Sequence, residues 1–438
     1  MAELTNCQKN AMFKIMMSQK HIVICGPAGT GKTFLLRHIL EALGKNKTVA
    51  YCAPTHAAKQ VLSESAGVKA CTIHALFKIH PETYEDEVKF DQSGVPDLSE
   101  IDYLVIDEVS MLDGLLFDIV MRSIPTGCRI IGMGDPYQLQ PVKNEPGIIS
   151  PIFFDPRFDR VILQEIVRQS KGNPIIEVAT AIRKTGCHTF SVHGKEGTGV
   201  FQFNTLSDFL NTYFEYVKTP EDMLSYKILA YANDDVDKFN GIVRQRIYQT
   251  KEPVVEGEYL IPQAPVYQEL TYKGMTMKEL KFHNGETTKV VRIKGNSELK
   301  ETITLPGLKL DPLKIKYYNV VLKSIVEKTE YPVDIIFDEK SEADLSEYLH
   351  YAALNYKRMA RNGTSKSKMR EYWGAFWELK GRFTPVKGAA ACTYHKSQGS
   401  TFVGVWMYTG KLFLADPKIR RQLEYVGNTR ARKFVNFL

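Results

Sequence analysis

The sequence predicts an α/β protein with two parallel sheets, because strand-like and helix-like patterns alternate in two separate parts of the chain. In residues 1–165 the strand-like apolar segments are 22–25, 48–52, 103–106 and 129–133. Apolar runs separated by helical patterns are typical of a parallel sheet with helices on both faces. The pattern returns in three later segments, 227–232, 389–393 and 405–408, which predict the second sheet.

A glycine-rich sequence directly follows the first predicted strand. Residues 26–33 read Gly-Pro-Ala-Gly-Thr-Gly-Lys-Thr, the pattern G-x-x-x-x-G-K-[ST] at a strand-to-helix junction. Glycines let backbone N–H groups turn toward phosphate oxygens, and the positive end of the next helix favours negative charge. In such a loop Lys32 reaches the β- and γ-phosphates and Thr33 coordinates Mg²⁺. The sequence therefore predicts a site for a nucleoside triphosphate.

The composition is that of an ordinary globular protein. The chain has 438 residues, of which 44% are hydrophobic and 24% are charged. No segment reaches the run of about 18 apolar residues that a membrane helix needs. The seven cysteines are scattered without a C-x-x-C pair, which favours reduced thiols over disulfides or zinc. The first residues lack the pattern of a signal peptide, so we expect a cytoplasmic protein.

Two kinds of sequence interrupt the α/β pattern. Residues 80–96 carry apolar residues among acids and a Ser-Gly turn, which predicts a small hairpin. From 251 to 332 the chain is β-rich, and its alternating segments resemble strands of a small barrel. A charged helical segment follows at 341–380.

The helical segment also has an unusual charge pattern. Residues 355–382 contain eight Lys or Arg against two acids, together with Trp373 and Trp377. Cations for phosphates and flat rings for bases are what a groove for single-stranded nucleic acid needs. An amphipathic helix that buries its aromatic residues explains the same pattern. The net charge of +7 permits a polyanionic partner without requiring one.

Two further segments place polar residues at predicted strand ends. Asp107 and Glu108 end a buried strand, where the first carboxylate of a P-loop protein helps to hold Mg²⁺ and the second activates water. Gln138 lies in the glycine-rich segment 132–141 after the next strand. Such loops emerge at the carboxyl edge of a parallel sheet, so Gln138 is a candidate sensor of the γ-phosphate.

Two arginines are candidates for stabilising the transition state of phosphoryl transfer. They are Arg168, in 163–169, and Arg430, in 425–430. An arginine that faces the γ-phosphate neutralises developing charge and contributes on the order of 10³–10⁵ in rate. A surface ion pair is the alternative explanation for each.

Taken in order along the chain, these segments resemble the motifs of superfamily 1 helicases. Besides loop 26–33 (motif I), the matching segments are Leu4-Thr5-x-x-Gln8 (Q motif), 53–59 (Ia), 72–74 (Ib), Asp107-Glu108 (II), 134–138 (III), Arg168 (IV), 393–400 (V) and 425–430 (VI). The Thr-His-Ala-Ala-Lys and Tyr-His-Lys-Ser-Gln-Gly sequences point to the RecD-like branch. Chain length, hairpin and inserted β-rich block are similar to those of the Dda-type phage helicases.

The resemblance implies two RecA-like P-loop domains of the α/β class, with an inserted β-hairpin and an inserted SH3-like β domain that carries a helical extension. The implied divisions are 1–79 with 101–165 (domain 1A), 80–100 (the hairpin or pin, 1B), 166–250 with 385–438 (domain 2A) and 251–384 (domain 2B). Within 2B, residues 280–326 resemble the SH3-like module. Both halves of the ATP site then lie in one chain, so a monomer suffices.

The resemblance also implies an ATP-dependent DNA helicase that translocates 5′→3′ on single-stranded DNA and separates duplex DNA. ATP and Mg²⁺ are the implied cofactors, and single-stranded and forked DNA are the implied partners. A single-strand DNA-binding protein or replication proteins are further candidate partners, and the implied location is the cytoplasm of a bacterial host. Three alternatives stay open: a DNA translocase or protein-displacing remodeller with little unwinding, an enzyme acting on RNA, and an ATP-gated binding or loading factor.

Specific residues inherit expected roles from the matching motifs. The expected catalytic residues are Lys32, Asp107, Glu108, Gln138, Arg168 and Arg430, with Thr33 and Asp107 as Mg²⁺ ligands. The expected nucleotide-binding residues are Gln8, Gly26, Pro27, Ala28, Gly29, Thr30, Gly31, Lys32, Thr33, Phe34 and Gly399. The expected DNA-binding residues are Pro54, Thr55, His56, Thr72, His74, Phe90 (on the pin), Trp373, Trp377, Thr393, His395 and Ser397.

The chain departs from the family pattern in two places. Asn428 puts a polar side chain between Gly427 and Thr429, where the family usually has an apolar one. The segment 270–281 and the Pro-Gly turn at 306–307 match no motif.

Overall fold

The fold is taken from a computed structural model. It describes residues 3–27, 29–44, 46–84, 87–92, 98–139, 149–165, 173–186, 191–193, 197–272, 275–296 and 298–438. By its contacts the chain forms two compact units, Met1–Val236 with Ala390–Leu438, and Asp237–Ala389.

The first α/β layer structure is formed by the segment up to residue 165. Its helices are α1 (Asn6–Met17), α2 (Lys32–Leu43), α3 (His56–Ala66), α4 (Ile73–Leu76) and α5 (Gly114–Ser123). Its strands are β1 (His21–Cys25), β2 (Val49–Ala53), β3 (Cys71–Thr72), β4 (Ile79–Tyr84), β5 (Glu87–Gln92), β6 (Tyr103–Ile106), β7 (Arg129–Gly134) and β8 (Phe158–Ile162). Six of these strands form a parallel sheet in the order β3-β2-β6-β7-β1-β8. The carboxyl ends of β1, β6 and β7 therefore lie side by side.

This sheet is buried on both faces, as the apolar strand segments predicted. Alternate residues of a strand point to opposite faces. In β1, Val23 belongs to one apolar core and Ile22 and Ile24 belong to another. The helices cover both faces because each needs to bury its apolar side.

Strands β4 and β5 form an antiparallel pair where the sequence predicted a hairpin. Pro81 pairs with Phe90 in the backbone register. The side chains of residues 80–97, including that of Phe90, lie outside the described residues.

The chain then begins its second α/β layer structure. The helices here are α6 (Pro174–Thr185), α7 (Leu206–Tyr216) and α8 (Asn233–Tyr248). The strands are β9 (Val192–His193), β10 (Gly199–Gln202) and β11 (Tyr226–Ala230).

The unit Asp237–Ala389 is β-rich with two long helices. Its strands are β12 (Tyr259–Pro262), β13 (Val266–Tyr272), β14 (Met275–Phe282), β15 (Thr288–Ile293), β16 (Leu299–Ile303), β17 (Leu313–Ser324), β18 (Glu330–Ile335) and β19 (Val386–Gly388). Besides most of α8, its helices are α9 (Glu339–Arg361) and α10 (Lys366–Arg382). The sheet runs β16-β17-β15-β12-β19 with β18 also on β17, and β13 pairs with β14.

The charged helical segment predicted at 341–380 consists of two helices, α9 and α10. Helix α9 ends before Gly363, which has φ +86° and so lies in the left-handed region. A residue in the left-handed conformation commonly ends a helix, and asparagine and glycine, the residue types at 362 and 363, are common at helix ends. Ser365 then caps α10 by accepting from the Lys368 N–H.

The remaining elements return to the first unit and complete the second sheet. They are β20 (Ala391–Thr393), α11 (Tyr394–Ser397), β21 (Phe402–Met407), α12 (Pro417–Arg430) and β22 (Ala431–Phe437). The sheet order is β20-β11-β21-β22-β10-β9, parallel except for β9. The predicted fold class, two parallel-sheet α/β layers with inserted segments, is confirmed.

None of the helices in the described part of the chain combines the length and the apolar character that a membrane span requires.

Candidate functional site

The loop after β1 has the backbone geometry of a phosphate cradle. Gly29 and Gly31 have φ of 86° and 75°, a left-handed conformation that glycine adopts at little cost. A Cβ on Gly26 would lie 2.8 Å from the Leu163 carbonyl oxygen, so only glycine fits there. Helix α2 begins at Lys32 with no acidic residue in its first turn, which leaves its positive N-terminal end to the loop.

The Lys32 side chain folds back over the same loop. Its ammonium donates to the carbonyl oxygens of Gly26 at 2.9 Å and Pro27 at 3.1 Å. Thr30 is buried within the loop and donates from its hydroxyl to Pro27 at 2.9 Å. Burial raises the pKa of the Cys25 thiol, which precedes the loop, to about 11. That thiol is protonated at neutral pH and is a poor nucleophile.

Gln8 connects helix α1 to this loop. Thr5 and Gln8 form a capping box, in which the Thr5 N–H donates to Gln8 Oε1 at 3.0 Å. The Gln8 amide also donates from Nε2 to the Thr30 carbonyl oxygen at 3.1 Å. The side chain therefore holds the loop, and its second N–H and second lone pair remain for a base edge.

The two carboxylates after β6 have different environments. Asp107 is buried and accepts from the Glu108 N–H through Oδ1 at 2.9 Å. Glu108 has φ 49°, a left-handed conformation that is strained for a residue with a side chain. Among the described residues, nothing hydrogen-bonds the buried Glu108 Oε2. A carboxylate with an unpaired oxygen has hydrogen-bonding capacity left to orient water.

A cavity of about 460 Å³ lies at these strand ends. It brings together eleven of the residues that the sequence predicted for the nucleotide site: Gln8, Gly29, Gly31, Lys32, Thr33, Phe34, Asp107, Glu108, Gln138, Gly399 and Arg430. Gly26, Pro27 and Thr30 belong to the loop but are not among the lining residues. Ala28 and Arg168 lie outside the described residues. The lining thus combines residues that follow the first sheet with residues of the second α/β segment.

Several lining residues had not been predicted from the sequence. They are Glu3, Thr5, Ala58, Val61, Ser65 and Thr401. Ala58, Val61 and Ser65 share one face of α3, so the helical period after the Thr-His-Ala-Ala-Lys motif was the available signal. Glu3 and Thr401 adjoin the Q motif and motif V, and Thr5 belongs to the Q motif but had not been predicted to line the site.

Arg430 is the last residue of α12 and is almost completely buried. Its guanidinium donates to the Ser400 carbonyl oxygen at 3.1 Å and to that of Val426 at 3.2 Å. These bonds hold the side chain at the edge of the cavity. Asn428, the departure from the family pattern, is fully buried and donates from Nδ2 to the Glu424 carbonyl oxygen at 2.8 Å. The helix backbone therefore accommodates the polar side chain.

Gly399 marks the closest approach between α3 and the turn after α11. It has φ +83°, and a Cβ there would lie 3.1 Å from the Ala58 backbone nitrogen. Gln398, beside it, donates to the Gln138 side chain at 3.5 Å. The turn therefore touches residues of the first α/β segment on both sides of the cavity.

Three residues predicted to contact DNA are N-caps at the ends of strands. Thr55 lies just after β2, and Thr72 and Thr393 are the last residues of β3 and β20; they cap α3, α4 and α11. Their hydroxyls each accept from a backbone N–H at 3.2 Å. Pro54, His56 and His74 lie beside these caps and are partly exposed. The two sheets thus present the same strand–threonine–helix junction.

His395 and Ser397 lie on α11 with different exposures. Ser397 is fully buried, and its hydroxyl donates to the Tyr394 carbonyl oxygen at 2.7 Å, so that hydroxyl is occupied inside the fold. His395 is partly buried, with its ring 6.4 Å from the Tyr231 ring. Burial lowers the pKa of His395 below its usual 6.5, so the ring is neutral at pH 7.

The two predicted tryptophans of the second unit lie on α10. Trp373 is partly buried against Tyr356 and Phe376, whereas Trp377 is 44% exposed. The Lys380 ammonium lies 4.9 Å from the centre of the Trp377 ring. Of the two explanations for this segment, burial in an aromatic core fits Trp373. An exposed surface of cations and aromatic rings fits Trp377.

Comparison with known proteins gives matches along the whole chain. Residues 3–197 match the family described as "AAA domain", and residues 251–388 match "Dda helicase SH3 domain". The chain is 36% identical over 443 residues to "ATP-dependent DNA helicase dda" of Enterobacteria phage T4, covering 98% of each protein. It is 31% identical over 161 residues to "ATP-dependent RecD2 DNA helicase" of Deinococcus radiodurans, covering 36% of this chain and 21% of that protein.

Solved structures agree at the level of the fold. The Pif1 helicase from Bacteroides, in complex with ADP-AlF3 and single-stranded DNA, matches with a TM-score of 0.53 and 19% identity, covering 100% of this chain and 92% of that chain. At this identity the likeness establishes the fold alone. The match to dda, by contrast, spans nearly all of both proteins, and residues 251–388 match the family described as "Dda helicase SH3 domain". The chain therefore belongs to the Dda helicase family, within superfamily 1.

Proposed function

We propose that this protein is an ATP-dependent DNA helicase that moves 5′→3′ along single-stranded DNA and separates duplex DNA. One observation carries the proposal. A single cavity joins the phosphate-binding loop and two carboxylates after the first sheet to a buried arginine from the second α/β segment. In a chain 36% identical to "ATP-dependent DNA helicase dda" over nearly its full length, this is the arrangement of an ATP-driven motor.

In the proposed mechanism the loop residues bind the triphosphate. The backbone N–H groups around Gly29 and Gly31 donate to phosphate oxygens, and Lys32 exchanges its loop carbonyl partners for the β- and γ-phosphates. Thr33 and Asp107 supply hard oxygen ligands, which suit Mg²⁺. When bound, Mg²⁺ would supply positive charge that offsets the charge of the phosphates. Glu108 orients and deprotonates the attacking water.

Arg430 completes the site from the other side. Its guanidinium is held by two carbonyl oxygens of its own segment, so its position follows that segment. Contact with the γ-phosphate draws the two α/β segments together, and loss of the phosphate releases them. We propose that Arg168 shares this role and that Gln138 senses the phosphate through its amide.

The strand-end threonines offer a matching pair of DNA contacts. Thr55 and Thr72 lie at strand ends of the first sheet and Thr393 lies at a strand end of the second. Contacts to phosphates from such junctions hold a strand without reading its sequence, as a motor requires. If closure tightens one junction on the strand while the other slips, each ATP moves the chain along DNA.

Two other features are proposed to turn translocation into unwinding. Phe90 lies in the β4–β5 hairpin, which we propose is the pin that separates the strands. Trp377, exposed beside Lys380, provides a ring and a cation for stacking and phosphate contact within domain 2B. We keep the four-part domain division, with 251–384 as domain 2B, as part of this proposal.

The test is strand separation on two forked substrates, one with a 5′ single-stranded tail and one with a 3′ tail, each with ATP and Mg²⁺. We expect unwinding with the 5′ tail only. Unwinding with the 3′ tail only would contradict the polarity. DNA-stimulated hydrolysis without unwinding on either fork would support a translocase or an ATP-gated factor instead, and stimulation by RNA alone would support an RNA enzyme.

Two variants make the test specific. Lys32→Ala should lower hydrolysis by about 10²–10³-fold, and unchanged turnover would overturn the assignment of the loop. Phe90→Ala should lower the base pairs opened per ATP while sparing hydrolysis stimulated by single strands. Equal loss of both activities would contradict the pin.

A further inference from the structure

A buried polar cluster joins the two α/β segments outside the cavity. Asp135 directly follows β7 and is 0% exposed. Its Oδ1 accepts from the Tyr137 N–H at 3.1 Å, and its Oδ2 accepts from the Tyr425 hydroxyl at 2.7 Å. Tyr425 is itself buried on α12, so a carboxylate of the first segment is bonded to a helix of the second.

Arg183, on α6, is the cation of this cluster. Its Nη2 lies 3.7 Å from Asp135 Oδ1, and its guanidinium carbon lies 4.5 Å from the centre of the Tyr137 ring and 5.9 Å from that of Tyr425. The buried Arg183 Nε has no hydrogen-bond partner in the part of the chain that is described. The guanidinium is therefore held by a charge and two rings rather than by a network of hydrogen bonds.

The cluster is directly connected to two residues of the cavity. The Asp135 carbonyl oxygen accepts from the Gln138 N–H at 3.0 Å. Tyr425 lies on α12, whose last residue is Arg430. The bond between Asp135 and Tyr425 thus ties the turn that carries Gln138 to the helix that carries Arg430.

We propose that Arg183 is a positioning residue for ATP hydrolysis. It balances the charge of Asp135 and so holds the turn that carries Gln138 and the helix that carries Arg430 in a fixed relative position. The inference rests on the proposed function of the cavity. A buried carboxylate without a counter-charge is costly and is relieved by protonation or by entry of water, and both disturb its bond to Tyr425. Loss of Arg183 therefore displaces Arg430 but leaves the phosphate loop intact.

The experiment compares single-strand-stimulated ATP hydrolysis by four variants. Arg183→Gln should lower kcat by about tenfold with KM for ATP unchanged, which is a coupling of ordinary size. Arg183→Lys keeps the charge and should retain most of kcat. Lys184→Gln removes the neighbouring exposed charge of the same helix and should equal the unchanged protein.

The double variant Arg183→Gln/Asp135→Asn gives the decisive readout. Asparagine keeps a polar partner for Tyr425 without a charge to balance, so kcat should recover to within about threefold of the unchanged protein. A residue that only packs would show no such recovery. A normal kcat in Arg183→Gln, or a double variant no better than the single one, would overturn the proposal.

Two controls keep this result separate from other failures. If Arg183→Gln does not fold, Arg183→Lys and the double variant decide by the same kcat comparison. If Lys32→Ala hydrolyses ATP normally, the proposed function of the cavity fails. If Lys32→Ala is inactive while Arg183→Gln is normal, only the role of Arg183 fails.

Discussion

The two parallel sheets have strands in equivalent positions, but the loops that follow those strands differ. In the first sheet β1 lies between β7 and β8, and in the second β10 lies between β22 and β9. After β1 the chain forms a loop with two left-handed glycines, and α2 begins without an acid. After β10 the loop is Phe203-Asn204-Thr205, which contains no glycine.

The N-terminus of the helix after β10 also disfavours an anion, because its first turn carries a negative charge. Thr205 caps α7 and donates from its hydroxyl to Asp208 at 2.7 Å, which places a carboxylate in the first turn. A negative charge at a helix N-terminus stabilises the helix and repels phosphate. One topology thus serves two purposes. The first sheet carries the loop that we propose binds the triphosphate, and the second contributes Arg430, which we propose senses the nucleotide state.

The largest expected effect comes from removing the guanidinium of Arg430, which the second α/β segment contributes to the cavity. Arg430→Gln should lower kcat for ATP hydrolysis by on the order of 10³–10⁵, because developing charge on the γ-phosphate loses its partner. ATP binding should persist, since the first sheet supplies the phosphate loop. Steady-state hydrolysis and titration with a fluorescent ATP analogue measure the two quantities.

The comparison with Glu108→Gln sharpens this prediction. That variant should also hydrolyse slowly and bind ATP, but its defect arises in the first segment. If Arg430→Gln instead loses ATP affinity with kcat unchanged, the second segment binds nucleotide rather than sensing it, and the division between the sheets is wrong.

The sequence predicted the features that depend on neighbouring residues. Both sheets were predicted from apolar periodicity, with boundaries close to those observed, such as 129–133 for Arg129–Gly134. The phosphate loop and the two carboxylates were predicted because their chemistry lies in contiguous residues. The catalytic and DNA-binding roles themselves stay predictions.

Features made by residues distant in sequence could not be predicted. No local pattern marks Arg183 as the partner of Asp135, since helix α6 meets that turn only in the folded chain. Ser397 looked available within its motif, but the turn of α11 directs its hydroxyl to Tyr394. The break at Gly363 has a local signal, a glycine after asparagine, but the sequence prediction of a helical segment did not divide it.

An intermediate effect is expected at Gly399, where the turn after α11 packs tightly against α3. Gly399→Ala places a Cβ 3.1 Å from the Ala58 nitrogen in a left-handed backbone. We expect about a tenfold fall in DNA-stimulated kcat, because the turn and α3 are pushed apart when the site must close. Hydrolysis with and without single-stranded DNA measures this effect.

Gly67→Ala is the matched control for backbone strain. Gly67 has φ 69° and ψ 34°, and apart from its chain neighbours no atom of the described residues lies within 4 Å of the added Cβ. Both variants should lose about 1 kcal/mol of unfolding free energy, since alanine is strained at positive φ. Only Gly399→Ala should lose hydrolysis; equal kcat in the two variants would mean that close approach at Gly399 is unimportant for the motor.

The smallest expected effect concerns the charge at Thr393–Ser397, the junction of the second sheet that we propose contacts DNA. Burial lowers the pKa of His395, so the ring is neutral above its usual pKa of 6.5 and releases no counterion when DNA binds. His395→Gln should therefore leave the slope of log affinity against log salt concentration unchanged at pH 7.5, with affinity for single-stranded DNA lowered by about threefold. Lys396→Gln, which removes an exposed cation from the same turn, should reduce that slope by about 0.7. A reduced slope in His395→Gln would mean that the ring binds DNA as a cation. The junction of the second sheet would then attract the strand by charge. In that case the two sheets would bind DNA differently, although both have threonine caps.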